Sequence, residues 1–224
     1  MTLVLVAHGT RNARGVDMIA ALAEQVSARG ISTRVAFVDV LGPSPAEVLR
    51  DIDGPATVVP AFLASGYHVH VDIPREVAGF DQATVTRAIG PDPALARAMQ
   101  QRLREAGWRR GDAVVLAAAG SSDRRARADV HRAAGLLGER IGGPVAVGYV
   151  ATGEPRVADV VSRIRSLTSA RVFVASYLLA HGLFQQRLRD IGADGVAEPI
   201  GTHQGVVDLL VRRYYAVELA SIAA

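Results

Sequence analysis

Two histidines follow the apolar runs of predicted strands in the first third of the chain. His8 comes directly after an apolar run at residues 3–7, and His68 follows another at residues 57–63 after an Ala-Ser-Gly break. Such runs indicate strands buried in a parallel sheet, whose carboxyl ends are where open α/β sheets bind ligands. We therefore expect His8 and His68 to face one pocket, where imidazoles can hold a metal ion or accept protons near neutral pH.

A carboxylate that could complete a metal site follows the second predicted strand. Asp39 lies near the end of the apolar run at residues 33–40, where it either binds the metal or caps a loop. His70 shares a face with His68 if the segment is extended and points elsewhere if it is helical. Asp72 either orients the His68 ring as a hydrogen-bond acceptor or caps the local turn. The sequence thus predicts an open site built from His8, His68 and Asp39.

Polar residues surround the two histidines. Thr10 and Arg11 follow His8, and Ser65, Gly66 and Tyr67 precede His68. Backbone N–H groups at helix starts and guanidinium groups suit an anionic ligand. We therefore predict that these five residues bind the substrate.

The predicted elements alternate between strands and helices. Strands are expected at residues 3–7, 33–40, 57–63 and 83–88, helices at 14–29, 45–52 and 93–106, and a partly helical segment at 68–78. This order predicts an α/β fold, with a four-stranded parallel sheet covered by helices on both faces.

The same pattern then starts again. LVLVAHGTRN at residue 3 is echoed by VVLAAAGSSD at residue 114, and TVVPAFLASG at residue 57 by RVFVASYLLAHG at residue 171, a spacing of about 110 residues. The chain is therefore predicted to be an internal duplication. Its domains are expected at residues 1–107, carrying the metal site, and at 112–224, with a linker at 107–111.

The duplication acts as an internal control on the two histidines. Ala119 stands where the first repeat has His8, and Phe184 stands where it has His68. Both histidines are absent from the second repeat although the pattern of strands and helices is kept, which favours a functional role over packing. The second repeat is therefore expected to be degenerate. Its first helix start carries Ser121, Ser122, Arg124 and Arg125, which form either a carboxylate-binding wall or an ordinary solvated helix start.

Composition excludes several classes of protein. There is no cysteine, so disulfides, thiolate metal sites and cysteine nucleophiles are ruled out. All 25 basic residues are arginine, the net charge is only +3, and no basic run exceeds two residues, which argues against nucleic-acid binding. No apolar segment reaches the ~18 residues of a membrane span, and the amino terminus does not resemble a signal peptide. A cytoplasmic protein is expected.

Four motifs of the first repeat resemble those of the sirohydrochlorin chelatases, the CbiX and SirB group of class II chelatases. They are HGTR, AFVD, PSP and PAFLASGYHVHVDIP, and the resemblance covers the whole chain as two chelatase-like units. The family pattern G-x-H-V-x-x-D-I-P fits residues 66–74 and selects His68 over His70. An acidic residue, usually Glu, follows the second strand in the family, and Asp39 is one methylene shorter.

The resemblance implies a lyase that inserts a divalent metal into sirohydrochlorin, in siroheme or cobalamin biosynthesis. It implies that His8 and His68 are the catalytic residues, which hold the metal and assist its insertion. Our own hypothesis is that the same imidazoles accept the two pyrrole N–H protons as the metal transfers. Fe²⁺ is favoured by the family's commonest role, although Co²⁺ and Ni²⁺ suit the same ligands. The metal is then a substrate, and no tightly bound cofactor is expected.

Two other functions remain open from the sequence. The first is a tetrapyrrole or metal carrier without turnover. The second is a phosphoryl-transfer enzyme similar to the histidine phosphatases, although Ala7 stands where those enzymes have a phosphate-binding arginine. The predicted helix at residues 206–220 is apolar over a broad face and packs either on its own domain or on a partner, which leaves a homodimer open.

Overall fold

The chain folds into two parallel four-stranded sheets in the computed structural model, which describes residues 1–222. The strand order is β2-β1-β3-β4 in the first sheet and β6-β5-β7-β8 in the second. Their bounds are β1 (Thr2–Ala7), β2 (Thr33–Phe37), β3 (Ala56–Pro60), β4 (Ala83–Val85), β5 (Ala113–Gly120), β6 (Val145–Thr152), β7 (Val172–Tyr177) and β8 (Gly195–Val196). The equal order of the two sheets confirms the predicted duplicated α/β fold.

Helices connect these strands. They are α1 (Ala13–Ser27), α2 (Pro45–Arg50), α3 (Ile73–Val77), α4 (Pro93–Glu105), α5 (Arg124–Ile141), α6 (Val157–Leu167), α7 (Leu183–Leu188) and α8 (Gln204–Ile222). None of the described helices has the length and apolar character needed to cross a lipid bilayer.

The core of the first sheet explains why its strands are apolar throughout. Val4, Val6 and Val58 are fully buried with residues of α2 and α3. Leu3 and Leu5 alternate with them and are also fully buried, because successive side chains of a strand point to opposite faces. Helix α1 packs against β2, and helix α8 packs against β3. The two helices also contact each other. Both faces of this sheet are therefore covered, as predicted.

Packing divides the chain differently from the sequence repeat. One compact unit comprises Met1–Ile89 and Gln204–Ala224, and the other comprises Gly90–His203. Helix α8 of the second repeat therefore belongs to the first unit, where it packs on α1 and β3. Helix α4 of the first repeat belongs to the second unit, where it packs on α5 and β7. The sequence repeat predicts the order of strands and helices along the chain. It does not predict which sheet buries the apolar face of each helix.

The stretch at residues 107–111, expected as a linker between domains, lies inside the second unit. Trp108 is 8% exposed there, and its indole N–H donates to the carbonyl of Asp112 over 3.4 Å. A buried indole ring with its N–H hydrogen-bonded holds the surrounding backbone in place. This stretch is therefore an ordered connection between α4 and β5.

The strands β2, β3 and β4 end earlier than predicted, whereas β1 ends at Ala7 as predicted. β2 ends at Phe37, where residues up to 40 were expected, because the chain turns sharply at residues 39–41. β3 ends at Pro60, where residues up to 63 were expected. Helix α2 begins as predicted, with a capping box between Ser44 and Glu47. The early strand ends matter because the candidate site residues lie in the loops that follow.

Candidate metal site

Three predicted ligands converge at the carboxyl edge of the first sheet. His8 follows β1, Asp39 lies in the loop after β2, and His68 lies in the segment after β3. His8 Nε2 is 3.8 Å from Asp39 Oδ2, and the two imidazole centroids are 5.0 Å apart. Each residue offers one ligand atom, and these atoms lie within 4.8 Å of one another. Within the described part of the chain, no other group of three such side chains meets in this way.

A π-helical turn, His68–Asp72, presents the second histidine. The N–H of Ile73 bonds to the carbonyl of His68, five residues earlier, and α3 follows directly. This turn brings His68 Nδ1 within 2.7 Å of Asp72 Oδ2. Arg75 donates to the other carboxylate oxygen of Asp72 over 3.1 Å. Asp72 is 9% exposed, so a nearly buried carboxylate, itself paired with an arginine, fixes the His68 ring.

The helical turn also settles where His70 lies. His70 is exposed and is not a member of the three-residue cluster. In an extended strand, residues two apart share a face, whereas in a helix they do not. The motif that selects His68 over His70 therefore agrees with the local geometry.

The hydrogen bonds of the two histidines leave the same ring nitrogen free. His8 Nδ1 lies 2.8 Å from the carbonyl of Gly9, and His68 Nδ1 faces the Asp72 carboxylate. Both partners are acceptors, so they favour the tautomer with hydrogen on Nδ1. The Nε2 lone pair of each ring is then available to a metal ion.

The position of Asp39 depends on the absence of a side chain at Gly9. A Cβ on Gly9 would collide with the carbonyl oxygen of Asp39. The Val40 N–H donates to Asp39 Oδ1 over 2.7 Å, while Oδ2 faces His8. Glycine after His8 therefore lets the loop after β2 approach closely enough for Asp39 to join the site. The sequence did not predict this role of Gly9, although the His-Gly pair was the available signal.

The three ligands form a loose, accessible site. Two ligands held at about 2.1 Å from one tetrahedral ion are about 3.4 Å apart, whereas His8 Nε2 and Asp39 Oδ2 are 3.8 Å apart and the three ligand atoms lie within 4.8 Å of one another. The side chains of His8, Asp39 and His68 are 49%, 56% and 32% exposed. An arrangement of this kind can take an ion from solution and release it, with coordination positions left open.

The residues predicted to bind substrate lie around the cluster. Thr10 Oγ1 accepts from the Asn12 N–H at the start of α1, and Arg11 is exposed. The ring of Tyr67 is 59% exposed and lies 6.2 Å from the His68 ring. The carbonyl of Gly66 accepts hydrogen bonds from the following turn, and Ser65 is half-buried beside it. Their contact with a substrate stays a prediction.

The second unit lacks all three ligands. Asp39 follows Phe37 by two residues, and the β-bulge in the pairing of β5 with β6 leaves Ala151 or Thr152 at the matching place, neither of which has a carboxylate. Ala119 and Phe184 stand in the places of His8 and His68. The loss of the carboxylate together with both imidazoles supports one shared role for the three residues in the first unit.

The arginine-rich helix start of the second unit is an ordinary helix cap. Asp123 accepts from the backbone N–H of Arg125 over 2.8 Å and forms an ion pair with the same guanidinium group. Ser121 Oγ accepts from the Asp123 N–H over 3.0 Å. An aspartate at this position competes with any anionic ligand, so the geometry favours a solvated helix start over a carboxylate-binding wall.

Fold and site together define a class of protein: a duplicated parallel α/β chain with one open His–His–carboxylate site in its first unit. The CbiX family model matches residues 2–106 and 113–217. The chain therefore belongs to the CbiX family, as its motifs predicted, and the two matched segments correspond to the two repeats.

Individual relatives agree with this assignment. A sirohydrochlorin ferrochelatase of Priestia megaterium is 25% identical over an aligned length of 232 residues including gaps, and the alignment covers 93% of this chain and 87% of the relative. SirB from Bacillus subtilis with Fe³⁺ has a TM-score of 0.80 at 23% identity, covering 96% of this chain and 95% of that one. SirB from Bacillus subtilis subspecies spizizenii in complex with cobalt has a TM-score of 0.75 at 23% identity, covering 95% and 94%. The structural matches show a shared fold.

Proposed function

We propose that this protein is a chelatase that inserts a divalent metal ion into sirohydrochlorin. The observation that carries the proposal is the convergence of His8, Asp39 and His68 at an exposed sheet edge in a chain of the CbiX family. The curated relative is named a ferrochelatase, and SirB has been seen with both iron and cobalt. Fe²⁺ is therefore the favoured metal substrate, with Co²⁺ next.

Metal loading uses the two free imidazole nitrogens and one carboxylate oxygen. Neutral nitrogen ligands with a single carboxylate suit Fe²⁺, Co²⁺ and Ni²⁺ alike. Because the three atoms are spread more widely than a closed coordination sphere requires, they hold the ion weakly. Weak binding is needed here, since the ion must leave the protein for the macrocycle.

Metal insertion also requires two protons to leave the macrocycle. The Nε2 atoms of His8 and His68 become free when the ion transfers, and each can then accept one pyrrole N–H proton. The Asp72 carboxylate at 2.7 Å from His68 Nδ1 stabilises the imidazolium that forms. One M²⁺ thus enters the ring, and two protons pass through the histidines to solvent.

The surrounding residues suit a flat, carboxylate-rich ligand. The guanidinium of Arg11 can pair with a carboxylate of sirohydrochlorin, and Thr10 and Ser65 offer hydroxyl groups. The exposed ring of Tyr67, beside His68, offers an apolar surface to the macrocycle face. Gly66 keeps this side of the cluster free of a side chain.

Anaerobic insertion assays test the proposed function. Purified protein is mixed with excess sirohydrochlorin and Fe²⁺, Co²⁺ or Ni²⁺ in turn, and the absorbance change of the macrocycle is followed. We expect many turnovers per protein with Fe²⁺ or Co²⁺, at rates above the protein-free reaction. A change that stops at one equivalent would indicate a carrier, and rates equal to the protein-free reaction with every metal would contradict a chelatase.

A further inference from the structure

The corner that carries Asp39 contains an unusual backbone conformation. Val40 has φ of +68°, and within residues 1–222 it is the only residue other than glycine with a positive φ. The Leu41 N–H donates to the Asp39 carbonyl over 2.8 Å and closes a three-residue γ-turn around Val40. This form of γ-turn is rare and strained, and a β-branched residue at positive φ is a genuine outlier.

Burial of side chains does not explain this strain. Val40 is 46% exposed and Leu41 is 36% exposed, so neither gains much by packing. The contacts that hold the turn involve Asp39 itself. Its carbonyl accepts from the Leu41 N–H, and its Oδ1 accepts from the Val40 N–H over 2.7 Å. One carboxylate oxygen is thus fixed to the backbone, and the other is directed at His8 Nε2, 3.8 Å away.

The second unit shows the same corner without a metal ligand. There β6 continues through Thr152, and a positive φ, +105°, falls on Gly153, where glycine adopts it at no steric cost. Within residues 1–222, a strained residue other than glycine is therefore found only at the corner that carries Asp39.

We propose that the strained turn at Val40 is a positioning device that holds the Asp39 carboxylate beside His8 as the third metal ligand. Strain of this kind persists where the surrounding structure uses it, and it concentrates at functional sites. When the turn relaxes, the Asp39 side chain swings into solvent and the site retains only two imidazoles. This inference rests on the proposed metal site, and it assigns Val40 a role without any contact to the ion.

Cobalt binding to the full-length protein, without tetrapyrrole, tests the proposal. Val40→Pro cannot adopt a positive φ and has no N–H to donate to Asp39 Oδ1. It is therefore expected to raise the Kd for Co²⁺ about 10-fold, the size of effect seen when support around a ligand is lost. Val40→Gly adopts the positive φ without strain and keeps the N–H, so it should keep the wild-type Kd and have a melting temperature equal to or higher than that of the wild type. Leu41→Ala, which removes a neighbouring exposed side chain, is the matched control and should leave the Kd unchanged.

A double-mutant cycle separates positioning from a general structural effect. Asp39→Ala should weaken Co²⁺ binding by a similar factor, and adding Val40→Pro to Asp39→Ala should cause no further loss. Wild-type affinity in Val40→Pro would overturn the proposal, and so would an equal loss from Val40→Pro in the Asp39→Ala background. Because the readout needs no tetrapyrrole, a failure of metal insertion leaves this result unaffected.

Discussion

His8 and His68 differ in the atom that each Nδ1–H meets. His8 donates to the neutral carbonyl of Gly9, whereas His68 donates to the carboxylate of Asp72. A carboxylate partner fixes the tautomer and orientation of an imidazole ring, and its hydrogen bond is charge-assisted. We therefore expect the ring of His68 to be held more firmly than that of His8.

Removing the charge of Asp72 should weaken the metal site. Asp72→Asn loses the charged acceptor of His68, and we expect the Kd for Co²⁺ to rise about 10- to 100-fold. Isothermal titration calorimetry measures this. Asp53→Asn is the matched control, because Asp53 is exposed and precedes β3, at the opposite edge of the sheet. Equal affinities of the two variants would contradict the role assigned to Asp72.

The sequence predicted which side chains would form the candidate cluster better than it predicted their orientation. His8 and His68 follow from their places after apolar strands and from their loss in the second repeat. The direction of the Asp39 carboxylate depends on the turn at Val40 and on the close approach at Gly9. A positive φ at valine has no sequence signal, since glycine or asparagine is the usual residue there, and so the strand was expected to continue to residue 40.

The element after the third strand of each unit is anchored differently in the two repeats. In the first unit the π-helical turn carries His68, and its Val69 is buried in the core. In the second unit α7 carries Gln185, which is buried and accepts from Ser176 Oγ over 2.5 Å. Its amide group donates to the Ala197 carbonyl over 3.0 Å. Hydrogen bonds from Gln185 to Ser176 and Ala197 thus attach α7 to the sheet of the second unit.

Breaking this network should destabilise the second unit. Gln185→Leu leaves the Ser176 hydroxyl and the Ala197 carbonyl buried without a partner, which costs about 1–3 kcal/mol for each such group. We expect the urea midpoint of the second unit to fall. Adding Ser176→Ala to Gln185→Leu removes one of the two unpaired groups and should recover part of the loss. A single variant as stable as the wild type would show that the network contributes nothing.

At the scale of the whole molecule, each unit contains a helix from the other repeat. Helix α8 buries Val206, Leu209 and Leu210 in the first unit. The Tyr214 hydroxyl, whose pKa is raised by burial, donates to the Met1 carbonyl over 2.9 Å. Burying four such side chains contributes on the order of 10 kcal/mol as an upper estimate, which is comparable to the whole stability of a domain.

A fragment that ends at the repeat boundary should therefore not fold. Residues 1–107 keep α4, which packs in the second unit, but lose α8, which covers the first sheet. We expect this fragment to show little protection from proteolysis and a low helix signal by circular dichroism. Adding residues 204–224 in trans is the control and should restore structure in part. A fragment 1–107 that unfolds cooperatively by itself would instead support the domain bounds drawn from the repeat.

The duplication was readable from the sequence because strand order and spacing repeat along the chain. The assignment of helices to the two compact units could not be predicted from the sequence, because α4 and α8 both have apolar faces that suit either sheet. Residues 107–111 illustrate the difficulty, since two glycines and two arginines are typical of a linker, while the burial of Trp108 depends on tertiary contacts.

His8 and His68 are proposed to deliver the metal to the macrocycle. The most direct test is the initial rate of Fe²⁺ or Co²⁺ insertion into sirohydrochlorin by His8→Ala and His68→Ala, with His70→Ala as the matched control from the same turn. We expect each of the first two rates to fall about 100-fold or more, with the folded state intact by circular dichroism, and the control to keep the wild-type rate. Wild-type rates in both His8→Ala and His68→Ala would contradict the account.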